Sequence, residues 1–402
     1  MGCGGAASGV FEFPLQRASS LAQTLYCARR SIYLGGQGMA ESGYLRIWEA
    51  PSVAALGQTP EQFLERLAGP SWLVIPGRDR GRSRVFVTLL HGNEPSGVRA
   101  LHAWLRAGVR PAVDLVAFVG SVQTALTLPQ FSHRNLPGHR DLNRCFRSPF
   151  VGAEGRLAHE VLERLRALHP EALIDLHNTS GSSPPYGITT CADAPQAALT
   201  SLFAQHLILT RMRLGAIMEA LEDECPTVTI ECGGVSNAHS DAVALEGLTE
   251  YAAADPLFAK DQARPLTLLR DPIRVELRKG AQVAYASGAV PEMDLTLAAD
   301  LDERCFAVLP PGEVLGWLGP VGTDALDARD AQGRERTGEL FAARDGRLLA
   351  ARPLQLLMVT TDPRIARGDC LFYVVLPEPE ALDAENARDG GTQSALEVGG
   401  GA

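Results

Sequence analysis

The run Val85-Phe86-Val87-Thr88-Leu89-Leu90-His91-Gly92-Asn93-Glu94-Pro95-Ser96-Gly97 decides the fold class. Its first six residues are apolar or β-branched on both faces, the pattern of a strand covered above and below. A short polar turn follows. From Ser96 the spacing changes to that of an amphipathic helix, which ends at Ala107 before Gly108. A covered strand that feeds a helix is the unit of a parallel sheet.

The pattern repeats outward from this run. Upstream, Glu61–Leu67 has helical spacing and Trp72–Pro76 reads as a strand. Downstream, Val113–Val119 reads as a strand, and Leu157–Leu168 as a helix with Leu157, Val161, Leu165 and Leu168 on one face. Ala172–Leu176 and Thr227–Ile230 read as further strands. The expected class is α/β, a mixed, mostly parallel sheet flanked by helices, over residues 59–264. Residues 265–378 change texture. Short strands at Ile273–Leu277, Glu313–Gly316, Gly338–Ala342 and Leu371–Leu376 lie between Gly and Pro, so a smaller β-rich C-terminal domain is expected there. Residues 1–58 form a weakly patterned extension without an evident role. The Glu-, Ala- and Gly-rich tail 379–402 reads as disordered.

The 402 residues, 46% hydrophobic and 21% charged, are enough for a large core without disulfide staples. A formal net charge of −10 argues against a general nucleic-acid binder or a polybasic membrane-surface protein. No apolar run approaches 18 residues, and Met1–Gly5 has neither a basic nor an apolar signal region. The eight Cys include no CxxC pair. Free thiols and a cytoplasmic location are expected. Nothing in the sequence fixes oligomeric state, and a homo-oligomer stays open.

Four short motifs carry chemistry. His91 and Glu94, three apart where a strand gives way to a helix, can reach one metal ion, with Gly92 permitting a tight turn. A polar βα loop would explain them equally well. His177, after Ile174-Asp175-Leu176, ends a second strand. Alone it reads as an ordinary hydrogen-bonding residue. Together His91, Glu94 and His177 make two imidazoles and one carboxylate with a fourth position open to water, a catalytic zinc set. Asp175 is placed either to orient a ligand or simply to cap the following loop. In Asp141-Leu142-Asn143-Arg144-Cys145-Phe146 the adjacent Asn143 and Arg144 suit a carboxylate clamp. The other reading is a surface loop with an incidental ion pair. Glu231 follows the apolar Val228-Thr229-Ile230. It reads as a general base facing the metal site, or as a buried Glu in an ion pair.

These motifs, in this order, resemble the succinylglutamate desuccinylase/aspartoacylase family, a branch of the zinc carboxypeptidase-like fold. The resemblance covers about residues 70–260. It implies one Zn2+ per chain on His91, Glu94 and His177, a substrate clamp of Asn143 and Arg144, and Glu231 as general base. The family also has an Arg seven residues before the clamp Asn; here that position is Leu136. Arg134 and Arg140 are the neighbouring candidates. Arg140 is preferred for polarising the carbonyl and Arg134 is expected to touch substrate. Arg211, Arg213 and Tyr186 are candidates for the family's downstream substrate-reading Arg and Tyr. The implied activity is hydrolysis of the amide bond of an N-acyl amino acid. The alternatives are a carboxypeptidase acting on a short peptide with a free carboxylate, or a metal-bound binding module without catalysis.

Overall fold

The computed structural model describes residues 39–259 and 264–377. A ten-stranded sheet forms its centre, with β1 Met39–Ser42, β2 Leu45–Glu49, β3 Ser71–Ile75, β4 Asp79–Thr88, β5 Val113–Val119, β6 Leu173–Thr179, β7 Tyr186–Thr189, β8 His206–Leu209, β9 Thr227–Gly234 and β10 Thr267–Arg270. Their spatial order is β1-β2-β3-β5-β4-β6-β9-β7-β8-β10. Six of the nine neighbouring pairs are parallel; β1–β2, β3–β5 and β7–β9 are antiparallel. The expected mixed, mostly parallel sheet is therefore present. Part of the segment expected to be an extension belongs to it, since β2 pairs in parallel with β3 and buries Leu45, Ile47 and Trp48.

Helices cover both faces. Ser96–Ala107 spans the residues read from the sequence, and its Val98, Leu101, Trp104 and Leu105 are buried. It packs beside Ala238–Ala253 on one face. Gly152–Leu168 covers the other, burying Leu157, Val161, Leu162 and Leu165. This helix begins five residues before the sequence reading, because Ala153 and Glu154 favour its first turn while adding little apolar signal. β9 runs on to Gly234, so Glu231 lies within the strand rather than just after it.

The C-terminal residues build two five-stranded sheets. One has the order Val308–Leu309, Leu354–Leu357, Phe372–Val375, Ile273–Leu277, Leu326–Arg329; the other has Val283–Ala286, Leu295–Ala298, Val314–Leu318, Arg347–Ala350, Phe341–Arg344. Their shared core includes Val275, Leu297, Leu315, Leu348, Leu356 and Phe372. A smaller cluster joins Tyr186, Ile208, Met212 and Leu269 of the large sheet to Leu357, Cys370, Tyr373 and Val375. Through it the β-rich region is packed against one side of the cleft described below. The stretch read as a strand from Gly338 opens instead with a helical turn, Thr337–Leu340, before the strand Phe341–Arg344. No disulfide joins the six described cysteines, and among the described residues no helix is long and apolar enough to cross a membrane. The tail 379–402 lies outside the described residues.

Chain order reverses at β4. The chain leaves it for β5 on one side, while β6 and β9 extend the sheet on the other. Crevices at the carboxyl ends of strands beside such a reversal are where open α/β sheets bind ligands.

Candidate metal and substrate site

The turn after β4 is forced by a backbone feature. Leu89 sits at φ +58°, a left-handed conformation that costs a branched, bulky side chain energy and that persists where packing imposes it. Leu89 itself is fully buried. Gly92 serves a different purpose from the tight turn expected of it. A Cβ there would lie 2.5 Å from Thr124 Cγ2 and 2.8 Å from the His133 carbonyl oxygen. Without one, the Gly92 amide donates to the Arg134 carbonyl at 3.0 Å. Close approach, rather than an unusual φ, is why glycine stands between His91 and Glu94, and it seats the Arg134 loop on the site.

His91, Glu94 and His177 come together as buried side chains whose candidate ligand atoms all lie within 4.8 Å of one another. Nδ1 of His91 is 2.8 Å from Glu94 Oε1, and Nδ1 of His177 is 2.6 Å from Glu94 Oε2. Each imidazole is held from behind. His91 Nε2 is 3.1 Å from Asp141 Oδ1, and His177 Nε2 is 2.9 Å from Asp175 Oδ2. With the Nε2 proton donated to the outer carboxylate, each Nδ1 lone pair faces the other ligand atoms. An outer carboxylate that fixes the tautomer in this way is the usual companion of a metal-ligating histidine.

Electrostatics agree with that donor set. Burial lowers the His177 pKa, but Asp175 and Glu94 outweigh it and raise the pKa well above the ordinary value. For His91, burial and Arg134 pull down while Glu94 and Asp141 prevail and raise it. Burial pushes the Glu94 carboxyl up, yet the two imidazoles hold it below the usual carboxylate range. The pocket thus favours positive charge at the point where the three side chains meet, and a divalent cation fits there.

Glu231 occupies the neighbouring strand, in register with His177 on one side and Tyr186 on the other. Burial pushes its carboxyl up to about 7, against the opposing pull of His177. Among the described residues its buried Oε2 has no hydrogen-bond partner, and neither does the buried Tyr186 hydroxyl. Both residues line the cleft.

The substrate-binding candidates separate clearly. Asn143 is buried; its Oδ1 accepts from the Ile217 amide at 3.2 Å, and its Nδ2 lies 3.4 Å from His177 Nε2. Arg144 donates through Nη1 to the Asn143 carbonyl at 3.0 Å and lines the same cleft. Arg134 donates through Nη2 to Asp141 at 2.9 Å and places Nη1 3.6 Å from Glu94. Arg140, preferred from the sequence for the polarising role, is not brought to the cleft. It is exposed and donates to the Val151 carbonyl at 2.9 Å, while the Gly92 contact holds residue 134 inward. Arg211 and Arg213 also lie outside the cleft, paired with Asp271 and Glu222.

Sequence reading missed one wall of the site. Ile188, Ile208, Met212, Met218 and Met358 give it an apolar lining, and Asp369 and Tyr373 reach it from the C-terminal region. No motif marks these residues. Asp141, a carboxylate two residues before the clamp Asn, is the sequence signal that pairs with His91.

Residues 81–246 match the profile of the succinylglutamate desuccinylase/aspartoacylase catalytic domain. Among curated proteins none matches the chain by sequence. Among solved structures, succinylglutamate desuccinylase from Vibrio cholerae aligns with a TM-score of 0.51 at 13% identity, covering 80% of this chain and 96% of that one. A succinylglutamate desuccinylase/aspartoacylase from Rhodobacter sphaeroides aligns at 0.49 and 18%, covering 76% and 88%. Murine aminoacylase 3 aligns at 0.46 and 19%, covering 74% and 96%.

Proposed function

From a chain that belongs, through residues 81–246, to the succinylglutamate desuccinylase/aspartoacylase family, we propose a zinc-dependent deacylase that hydrolyses the amide bond of an N-acyl amino acid. The observation that carries this reading is the convergence of His91 Nδ1, His177 Nδ1 and the Glu94 carboxylate, beside a Glu231 oxygen that has no hydrogen-bond partner among the described residues.

His91, Glu94 and His177 would hold the zinc ion, which when bound would supply a Lewis acid and make water acidic near neutral pH. Asp141 and Asp175 orient the two imidazoles. Glu231, with a carboxyl near 7, takes the proton from the attacking water at its free Oε2 and returns it to the leaving amine. Arg134, anchored on Asp141, is the guanidinium placed to stabilise the negative oxygen that develops on the carbonyl. One such donor is typically worth about 3 kcal/mol. Arg144 and the Asn143 amide receive the amino acid's carboxylate, fixing the amide against the base; misplacement by about 1 Å can cost roughly a hundredfold in rate. The apolar wall of Ile188, Ile208 and the methionines accepts carbon and excludes water.

The test is amine release by zinc-loaded protein from a panel of N-acetyl and N-succinyl amino acids beside short peptides with free C-termini. Release from an N-acyl amino acid, abolished in Glu231→Gln, is expected. Release from peptides alone would replace the deacylase by a carboxypeptidase. Release from nothing in the panel would reduce the centre to a binding site.

A further inference from the structure

We propose, on the reading of the cleft as a deacylase site, that Asp369 is a specificity-determining residue whose carboxylate competes within the anion clamp against the substrate's own. Asp369 closes the short helix Pro363–Gly368 of the C-terminal region and returns to the cleft mouth, where its side chain is 22% exposed. Its Oδ1 is gripped by Arg274 Nη2 at 2.5 Å. Its Oδ2 stands 3.6 Å from Arg134 Nη2 and 3.6 Å from Arg144 Nη2.

Those two separations are too long for hydrogen bonds, so Asp369 offsets charge at the clamp without satisfying the donors. Arg134 already has Asp141 at 2.9 Å. Arg274 has Glu276 at 3.1 Å in addition to Asp369. Arg144 donates to the Asn143 carbonyl and lines the cleft, and Asp369 is an acid beside it. A carboxylate seated on Arg144 therefore sits within a few ångströms of a fixed like charge, in surroundings that screen it less than water does. Each further negative charge on the ligand meets the same repulsion. The clamp accepts one carboxylate and disfavours a second, while among the described residues the wall of Ile188, Ile208 and the methionines adds no cation.

A structural role alone, bolting the segment to Arg274, makes a different forecast. Asp369→Asn keeps the shape and an oxygen for Arg274 while removing the charge. The full chain, zinc-loaded and carrying Glu231→Gln to prevent turnover, is titrated calorimetrically with N-acetylglycine, N-acetylglutamate and neutral N-acetylglycinamide. With Asp369→Asn, N-acetylglycine should bind about tenfold more tightly and N-acetylglutamate should gain more. The neutral amide should change by less than twofold. Asp369→Ser should repeat the pattern, and Arg144→Met should erase it. Carboxylate affinity that is unchanged, weaker or undetectable in both proteins, or an equal change for the neutral amide, would overturn the inference. Amine release by the Glu231 protein is measured separately, so charge-selective tightening without any hydrolysis would retire the deacylase reading alone.

Discussion

The floor of the cleft and its outer wall are built differently. The floor is made by residues close to the ends of three adjacent strands: His91 just past β4, His177 in β6 and Glu231 in β9. The two histidines are buried and held by carboxylates that fix their direction, while Glu231 keeps an unpartnered oxygen among the described residues. The wall is assembled from a distance. Met358, Asp369 and Tyr373 arrive from the C-terminal region, Tyr373 through the cluster shared with the large sheet, and Asp369 meets the clamp through ion pairs of 3.6 Å rather than tight hydrogen bonds. Under the proposed function such a site separates duties, the floor performing chemistry and the wall selecting what reaches it.

Substitutions should sort along the same line. His177→Ala should abolish stoichiometric zinc and turnover together, a loss of more than about a thousandfold in metal affinity, measured by metal analysis after dialysis. Phe372→Ala empties the core of the wall and should cost roughly 3–5 kcal/mol in chemical denaturation of the C-terminal region, while zinc bound at the floor is retained. If zinc fell in step, floor and wall would be one cooperative unit. Arg144→Met should raise KM about a hundredfold for carboxylate substrates and lower kcat as well, since the clamp also fixes the amide; equal weakening of neutral amides would remove the clamp. Asp175→Asn should lower zinc affinity by about ten- to a hundredfold, since it frees the His177 ring without deleting a ligand. Arg140→Ala, which removes a bond to the Val151 carbonyl outside the cleft, should alter turnover by less than about twofold.

The same contrast explains what could be read in the sequence. β5, the helix Ser96–Ala107 and the strand Ile273–Leu277 were legible because apolar period and flanking turns agree locally. His91, Glu94 and His177 were legible because strand ends carry them within short motifs. β7, β8 and β10 were not read, since four residues apiece leave too little period to read. Arg140 was preferred over Arg134 because distance along the chain cannot show which way a loop turns. The direction is decided by Gly92, whose missing Cβ lets the Arg134 backbone approach. Asp369 carries no signal at all: its partners, Arg134, Arg144 and Arg274, are distributed over 140 positions and meet only in the folded chain.

The most direct test of the account is anomalous scattering at the zinc edge from crystals of the zinc-soaked full chain. The account predicts one peak, about 2.1 Å from Nδ1 of both His91 and His177 and at a similar distance from the Glu94 carboxylate, with Glu231 beside it but not bound. A peak ligated through Nε2, a peak at other residues, or none at this cluster would contradict it.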